Sequence, residues 1–239
     1  MTEANPPAVD IRRADERFRT RISWLDSNHS FSFANHWDPG NTHHGRLLVN
    51  NDDVVAPGQG FETHPHRDME IVTWVLDGSL VHQDSEGNRG VIYPGLAQRM
   101  SAGSGIMHSE MNPSATEPVR LVQMWVLPDT RGGEPGYQEA DITDELDRGG
   151  LVKVASGLAD AAPISIRQRG AELWAGHLAP GTSAAVPQAG HVHVFVATGA
   201  VDLAGTILRH GDAARLTNEA ALTLAAETDG AEVLIWATT

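Results

Sequence analysis

The chain reads as a succession of short apolar runs cut by turn-forming residues. Ile71 to Leu76, Val119 to Leu127, Val192 to Val196 and Val233 to Trp236 are rich in Val, Ile, Leu and Trp. These side chains suit a half-buried pleated surface better than a helix. Glycine (24 residues) and proline (13) fall between the runs at short intervals. Short β-rich runs with regular turn signals predict an all-β sandwich or barrel. Helical periodicity is scarce. Asp141 to Arg148 is the exception, where one or two helical turns are expected with Thr143 or Asp141 as the cap.

The pattern also divides the chain. Asp129 to Gly136 (D-T-R-G-G-E-P-G) is the best linker, and it leaves two β-rich halves, expected as domains over 1–135 and 136–239. They look like a duplicated unit. Val72 to Gly78 parallels Val194 to Gly199, each a buried strand closing on a glycine turn. Pro94-Gly95 parallels His210-Gly211-Asp212, and Gln123-Met-Trp125 parallels Leu234-Ile-Trp236.

Composition narrows the function classes. With 17 basic and 31 acidic residues among 239, the formal charge is −14. That charge repels phosphate backbones and anionic bilayers, so neither nucleic acid nor membrane is expected as a partner. The 41% hydrophobic content is ordinary for a folded protein. No run approaches the roughly 18 apolar residues of a membrane span, and Met1 to Arg21 lacks the apolar core of a signal peptide. Cysteine is absent. That excludes thiolate ligands and disulfides, and it suits a cytoplasmic location.

Histidine points to chemistry. Of the 12 histidines, His64 and His66 flank Pro65, and His108 stands two residues from Glu110. Residues i and i+2 of a strand share a face. If the two strands meet inside a barrel, three imidazoles and one carboxylate converge on one ion. Imidazole suits Fe, Cu, Ni and Zn, and a carboxylate favours harder ions such as Fe(II) and Mn(II). One divalent metal is therefore expected, and these donors leave Fe(II), Mn, Co, Ni, Cu and Zn open. Second-sphere partners that orient the ligands are expected too, with Gln123 and His82 as candidates. Asp52 and Asp53, beside Asn50-Asn51, read as a turn. His43-His44 reads as a solvated turn, and Phe31 and Phe33 read as core.

Gly58 to Gly78 resembles the first cupin motif, with a spacing to the final glycine one residue longer than the general pattern. Gly105 to Asn112 resembles the tail of the second. Ile22 to Phe33, His64 to Ile71, Met100 to Glu110 and Val122 to Pro128 are together similar to the pirin family, strongly over 20–140 and weakly beyond. The resemblance implies a bicupin: two tandem jelly-roll β-barrels in a monomer, with the metal, Fe(II) first, in the N-terminal barrel on His64, His66, His108 and Glu110. Glu70, where many cupins place a ligand, is then structural. Aligning Gly199 with Gly78 puts Ala185 and Pro187 at the positions of His64 and His66, so the C-terminal cupin is expected without metal. His191 and His193 are read as one face of a strand.

The resemblance further implies a quercetin 2,3-dioxygenase-like enzyme. It would open a flavonol-like planar aromatic substrate with O2 and release CO, with Glu110 as ligand and general base. The alternative it carries is a metal-binding redox sensor that docks a protein partner.

Overall fold

The computed structural model describes residues 8–159, 161–218 and 221–239. In chain order the strands of the first half are β1 (Ala8–Arg12), β2 (Phe18–Arg21), β3 (Leu25–His29), β4 (Leu47–Val55), β5 (Gly60–His66), β6 (Glu70–Asp77), β7 (Leu80–Asp84), β8 (Arg89–Ile92), β9 (Leu96–Ser101), β10 (Ile106–Met111) and β11 (Val119–Val126). After β12 (Gly136–Asp141) comes the short helix α1 (Thr143–Asp147). The second half carries β13 (Gly150–Ser156), β14 (Ile164–Ser165), β15 (Ala171–Leu178), β16 (Ser183–Ala185), β17 (His191–Leu203), β18 (Thr206–Arg209), β19 (Ala213–Thr217) and β20 (Thr223–Thr238). The helix falls where expected, but neither Thr143 nor Asp141 is its cap: the N-cap is Ile142, which has no side-chain cap, and Asp141 Oδ1 accepts from the Thr143 amide at 3.0 Å just ahead of it.

A seven-stranded sheet ordered β12-β9-β6-β11-β4-β3-β2 faces a four-stranded sheet ordered β5-β10-β7-β8. Together they make the first cupin. The second is built on a nine-stranded sheet with the path β1-β19-β17-β20-β15-β13-β14. The sheets do not part at 135/136. β1 pairs with β19 in the second sheet, and β12 pairs with β9 in the first. Each half lends a strand to the other.

Alternation explains why the central strands are apolar throughout. On β6 and β11, Val72, Trp74, Val122, Met124 and Val126 face the second half, where Leu173, Phe195, Leu234 and Trp236 meet them in one buried cluster. The opposite face of the same strands carries Val75 and Leu121 into the first barrel. On β17 and β20, Val192, Val194, Val196, Val233 and Ile235 fill the second barrel. A strand covered on both sides has no solvent face, so it loses the polar alternation of an exposed sheet. Each fully buried aliphatic or aromatic side chain contributes about 1.5–3 kcal/mol. The Trp74 indole Nε1 completes the seam by donating to Glu232 Oε1 at 2.7 Å.

Asp52, Asp53 and His44 sit where local reading did not put them, whereas Glu70 and His193 are structural and strand residues as read. Asp52 and Asp53 lie inside β4, both buried, and not in a turn. The Asp52 carboxylate accepts from Arg17 Nη2 at 3.3 Å and from Arg120 Nε at 3.2 Å, which neutralises it in the seam. His44 is half-buried, edge-on to His191 at 5.2 Å, with its Nε2 donating to the Leu216 carbonyl at 3.1 Å. His43 is the exposed member of that pair. Glu70 projects into the seam, accepting from Ser101 Oγ at 2.7 Å and from the Arg167 amide at 3.2 Å. His193 also faces the seam, its ring 5.6 Å from that of Phe31.

Asp53 yields a pH prediction. Burial pushes its carboxyl up to about 7, opposed by the Ser27 hydroxyl and reinforced by the charges of Asp52 and Glu110. The folded value lies above the unfolded one, so the native state keeps a proton that the unfolded chain releases. The cost to stability is absent below the unfolded value and grows as pH rises toward about 7. Asp53→Asn is expected to flatten that fall and to be the more stable protein at pH ~8, by on the order of 1–3 kcal/mol. Urea titrations of both metal-free proteins across that range check it. Parallel pH profiles would contradict it.

Candidate metal centre

The two histidine-bearing segments are adjacent antiparallel strands. β5 pairs with β10 so that His64 lies directly across from His108 and His66 across from Ile106. β5 is the edge of its sheet, which is where a strand tolerates a proline such as Pro65. Between His108 and Glu110 the register slips, and Glu110 faces Phe61. The bulge places the extra residue in β5 and turns Phe61 toward the same cavity as His64. Gly60 pairs with Met111 at the same place. A Cβ there would run into the backbone carbonyl of Glu110, so the close approach needs glycine.

The donor atoms of His64, His66 and His108 lie within 4.8 Å of one another. His64 Nδ1 donates to the Glu62 carbonyl at 2.7 Å, which leaves its Nε2 as a bare lone pair. That Nε2 stands 3.1 Å from Nε2 of His108. His66 Nε2 is buried with no hydrogen-bond partner. Three imidazole nitrogens turned on one point, one of them orphaned, leave a site that a cation completes. Burial, then the neighbouring His108 and His64 rings, holds His66 down at about 4. Burial, then His64 and His82, holds His108 down at about 3. Both rings are therefore neutral, the form that ligates.

Glu110 reaches across the barrel from β10 to the opposite sheet. Its Oε1 accepts from Thr73 Oγ1 at 3.1 Å, and its Oε2 from Gln123 Nε2 at 2.6 Å. Trp125 Nε1 donates to Gln123 Oε1 at 3.1 Å, which fixes the amide so that its NH2 faces the carboxylate. Glu110 forms a second donor group with His108 and His82, and it lines the same cavity as His64 and His66. The structure thus gathers His64, His66 and His108 on one point, and sets Glu110 beside His108 and His82 on one side and along the cavity of His64 and His66 on the other.

His82 and Gln123 both turn out to touch the centre. His82 Nδ1 is 3.4 Å from His108 Nδ1, and its Nε2 is 3.3 Å from Asp84 Oδ2. Burial opposes charge on Asp84, but hydrogen bonds from Asn88 and His82 outweigh it and hold the carboxyl below its ordinary value.

The cavity above the imidazoles holds about 450 Å³. Trp24 meets Phe61 edge-on at 5.3 Å, and Phe33 meets Trp125 at 5.5 Å. Trp125 also stands edge-on to His66 at 4.9 Å. Gln59 and Glu62 supply polar groups to the lining. Sequence reading assigned Phe33 to the core and missed Trp24 and Phe61 as walls. The aromatic letters inside the motifs were the available signal, but which aromatics share a cavity depends on the bulge and on the β3–β4 loop. A larger cleft of about 840 Å³, lined by Arg167, Arg169 and Glu134, contains none of the clustered histidines.

A family model described as Pirin matches residues 11–126, and one described as Quercetinase C-terminal cupin domain matches 153–236. A Mycobacterium tuberculosis protein, Rv0181c, named as a candidate quercetin 2,3-dioxygenase, is 57% identical over 230 residues, covering 95% of this chain and 94% of its own. An Escherichia coli K12 protein named quercetin 2,3-dioxygenase is 51% identical over 131 residues, covering 55% of this chain and 57% of its own. Two crystal structures of Escherichia coli YhhW superpose with TM-scores of 0.90 and 0.88. They share 37% and 36% identity with this chain and cover 97% of it, with 98% and 99% of their own chains. The second is described as a bacterial pirin in complex with nickel(II).

Proposed function

This chain belongs to the pirin family, and we propose that it is a metal-dependent dioxygenase of flavonol-like substrates, acting in the cytoplasm. The observation that carries the reading is three convergent imidazole nitrogens and a clamped carboxylate at the floor of an aromatic-walled cavity. We assign His64, His66, His108 and Glu110 as the ligands of one divalent ion. The imidazole set leaves Fe(II), Mn, Co, Ni and Cu open, and the nickel of YhhW supports the site without choosing the ion for this chain.

The bound ion supplies Lewis acidity toward a substrate oxygen and access to O2 chemistry. The protein does the rest. Trp24, Phe61, Phe33 and Trp125 exclude water and hold a planar ring system edge-on to the imidazoles. Glu110 takes the proton of the substrate hydroxyl. Gln123 Nε2 and Thr73 Oγ1 hold its two oxygens in place for that transfer. One O2 is consumed for each CO released as the ring opens.

The test is to load the purified protein with Fe, Mn, Co, Ni or Cu and follow quercetin absorbance, oxygen uptake and carbon monoxide together. Coupled consumption and release is the expected result. No turnover with any of the five ions would end the dioxygenase reading and favour the regulatory one. Phe33→Ala tests the walls. It removes an aromatic neighbour of Trp125 without touching a ligand, so the quercetin KM should rise by on the order of tenfold, as the loss of an aromatic contact predicts. Metal content should not change. An unaltered KM would show that the substrate does not lie between these walls.

A further inference from the structure

Beyond the ligands, we infer that Asp84 and His82 form a hydrogen-bond relay that sets the tautomer of His108 and so keeps its Nε2 free for metal. The inference rests on the metal centre proposed above. It concerns a question the ligand set leaves open, namely which nitrogen of His108 carries the proton.

Direction follows from Asp84. Its Oδ1 accepts from the Glu86 amide at 3.0 Å, the Asn88 amide at 2.9 Å and Asn88 Nδ2 at 3.1 Å, and its Oδ2 accepts from Asn88 Nδ2 at 2.9 Å. Surrounded by donors, the carboxylate can only accept. His82 must therefore present Nε2–H to Asp84 Oδ2 at 3.3 Å. With its proton on Nε2, the imidazole keeps a lone pair on Nδ1. That lone pair faces His108 Nδ1 at 3.4 Å, so His108 holds its proton on Nδ1. The remaining nitrogen, Nε2, is unprotonated and points at His64 Nε2, 3.1 Å away. The His82 and Asp84 side chains are almost wholly excluded from solvent, so water does not compete for these positions. Carboxylate, imidazole and imidazole are thereby linked from the turn after β7 to the nitrogen that would face the ion. The outer pair positions His108 and raises its basicity as a ligand. His82 and Asp84 touch neither the ion nor the substrate, so they are positioning residues.

The sharpest test is Asp84→Asn. The Glu86 and Asn88 amides keep the asparagine carbonyl oxygen where Oδ1 was, and Asn88 Nδ2, which in the wild type donates to both oxygens, keeps its contact to that carbonyl alone, so the turn survives. The amide then donates to His82 Nε2, and every proton in the chain shifts the opposite way. His82 carries its proton on Nδ1, and His108 is driven to Nε2–H, which cannot ligate. Calorimetric titration with nickel(II) should show one ion per chain in both proteins, with Kd raised 10–100-fold in the variant, the range seen when an outer-shell partner is lost. The d–d spectrum of the cobalt(II) protein should change with it. His82→Asn provides the rescue. Its carbonyl oxygen takes the place of Nδ1 and accepts from His108, so affinity should stay near wild type while His82→Leu loses it.

Wild-type nickel affinity and an unchanged cobalt spectrum in Asp84→Asn would overturn the relay and leave the metal centre standing. A wild-type protein that binds neither ion would overturn the centre itself, and the relay with it. Two ions per wild-type chain, one of them lost in His82→Leu, would make His82 a ligand and also overturn the relay.

Discussion

His108→Ala is expected to take the protein from one bound ion per chain to a trace, and to abolish turnover, while the fold stays intact. Among the described residues, His108 belongs to both donor groups of the first barrel, so its loss leaves neither with three imidazoles or with His82, His108 and Glu110 together. It also ends the chain from Asp84, leaving His82 Nδ1 without its partner. The fold should tolerate the change because the ring is held neutral by burial and carries no ion pair of its own. The space left beside His64 and His66 opens onto the cavity. Metal analysis after dialysis, with a thermal melt of the same sample, checks both halves of the expectation. Retention of stoichiometric metal would mean that the ion lies elsewhere. Loss of the cooperative melt would mean that His108 is structural before it is functional.

Asp52→Ala should produce the largest loss of stability from a single polar residue, about 3–5 kcal/mol, the range for stranding buried charge. The Asp52 side chain is 4% exposed and that of Arg17 6%. Arg17 lies over the Phe195 ring at 5.4 Å, and Arg120 donates onward to the Ala197 carbonyl at 3.0 Å. Both arginines thereby fasten the first half to the second through one carboxylate. Burial already lowers the Arg17 pKa, against the stabilising charge and hydrogen bond of Asp52. Without that carboxylate, two guanidinium groups remain in or at the edge of an apolar seam with no anion between them. The half-buried pair Lys153–Glu172, with side chains 26% and 25% exposed, is the control. Lys153→Ala should cost only about 1–2 kcal/mol, from a partly solvated ion pair and the loss of Nζ over the Trp174 ring at 4.9 Å, because no buried charge is left stranded. Urea titrations of both variants decide it. A loss for Asp52→Ala as small as for Lys153→Ala would show that the seam is hydrated enough to carry the charge.

Much of the architecture was legible because strand patterning is local. Val72 to Asp77 falls on β6 with Gly78 just past its end, as expected, whereas Val194 to Gly199 falls inside β17, which runs on to Leu203 past a register shift at Gly199 instead of turning there. Gln123–Trp125 and Leu234–Trp236 fall on the strands beside them, β11 and β20. The likeness between halves was therefore a likeness of position in two sheets. The i, i+2 spacing of His64 with His66, and of His108 with Glu110, likewise placed each pair on one face before any partner was known. Period-two geometry needs no tertiary information.

Everything that depends on what lies across a strand had to come from the fold. Aspartate is a common turn former, so Asp52-Asp53 read as a turn until Arg17 and Arg120 met the Asp52 carboxylate and burial in β4 enclosed Asp53. The exchange of β1 and β12 is equally invisible, because a strand does not encode which edge it will join. Phe33 joined the cavity only because its loop folds over Trp125, and Phe61 only because a bulge turned it there. His82 became a partner of His108 through the β7–β10 pairing. Chain-local chemistry supplied the ligand types and their spacing, whereas proton positions, cavity walls and charge compensation are set by neighbours many residues away.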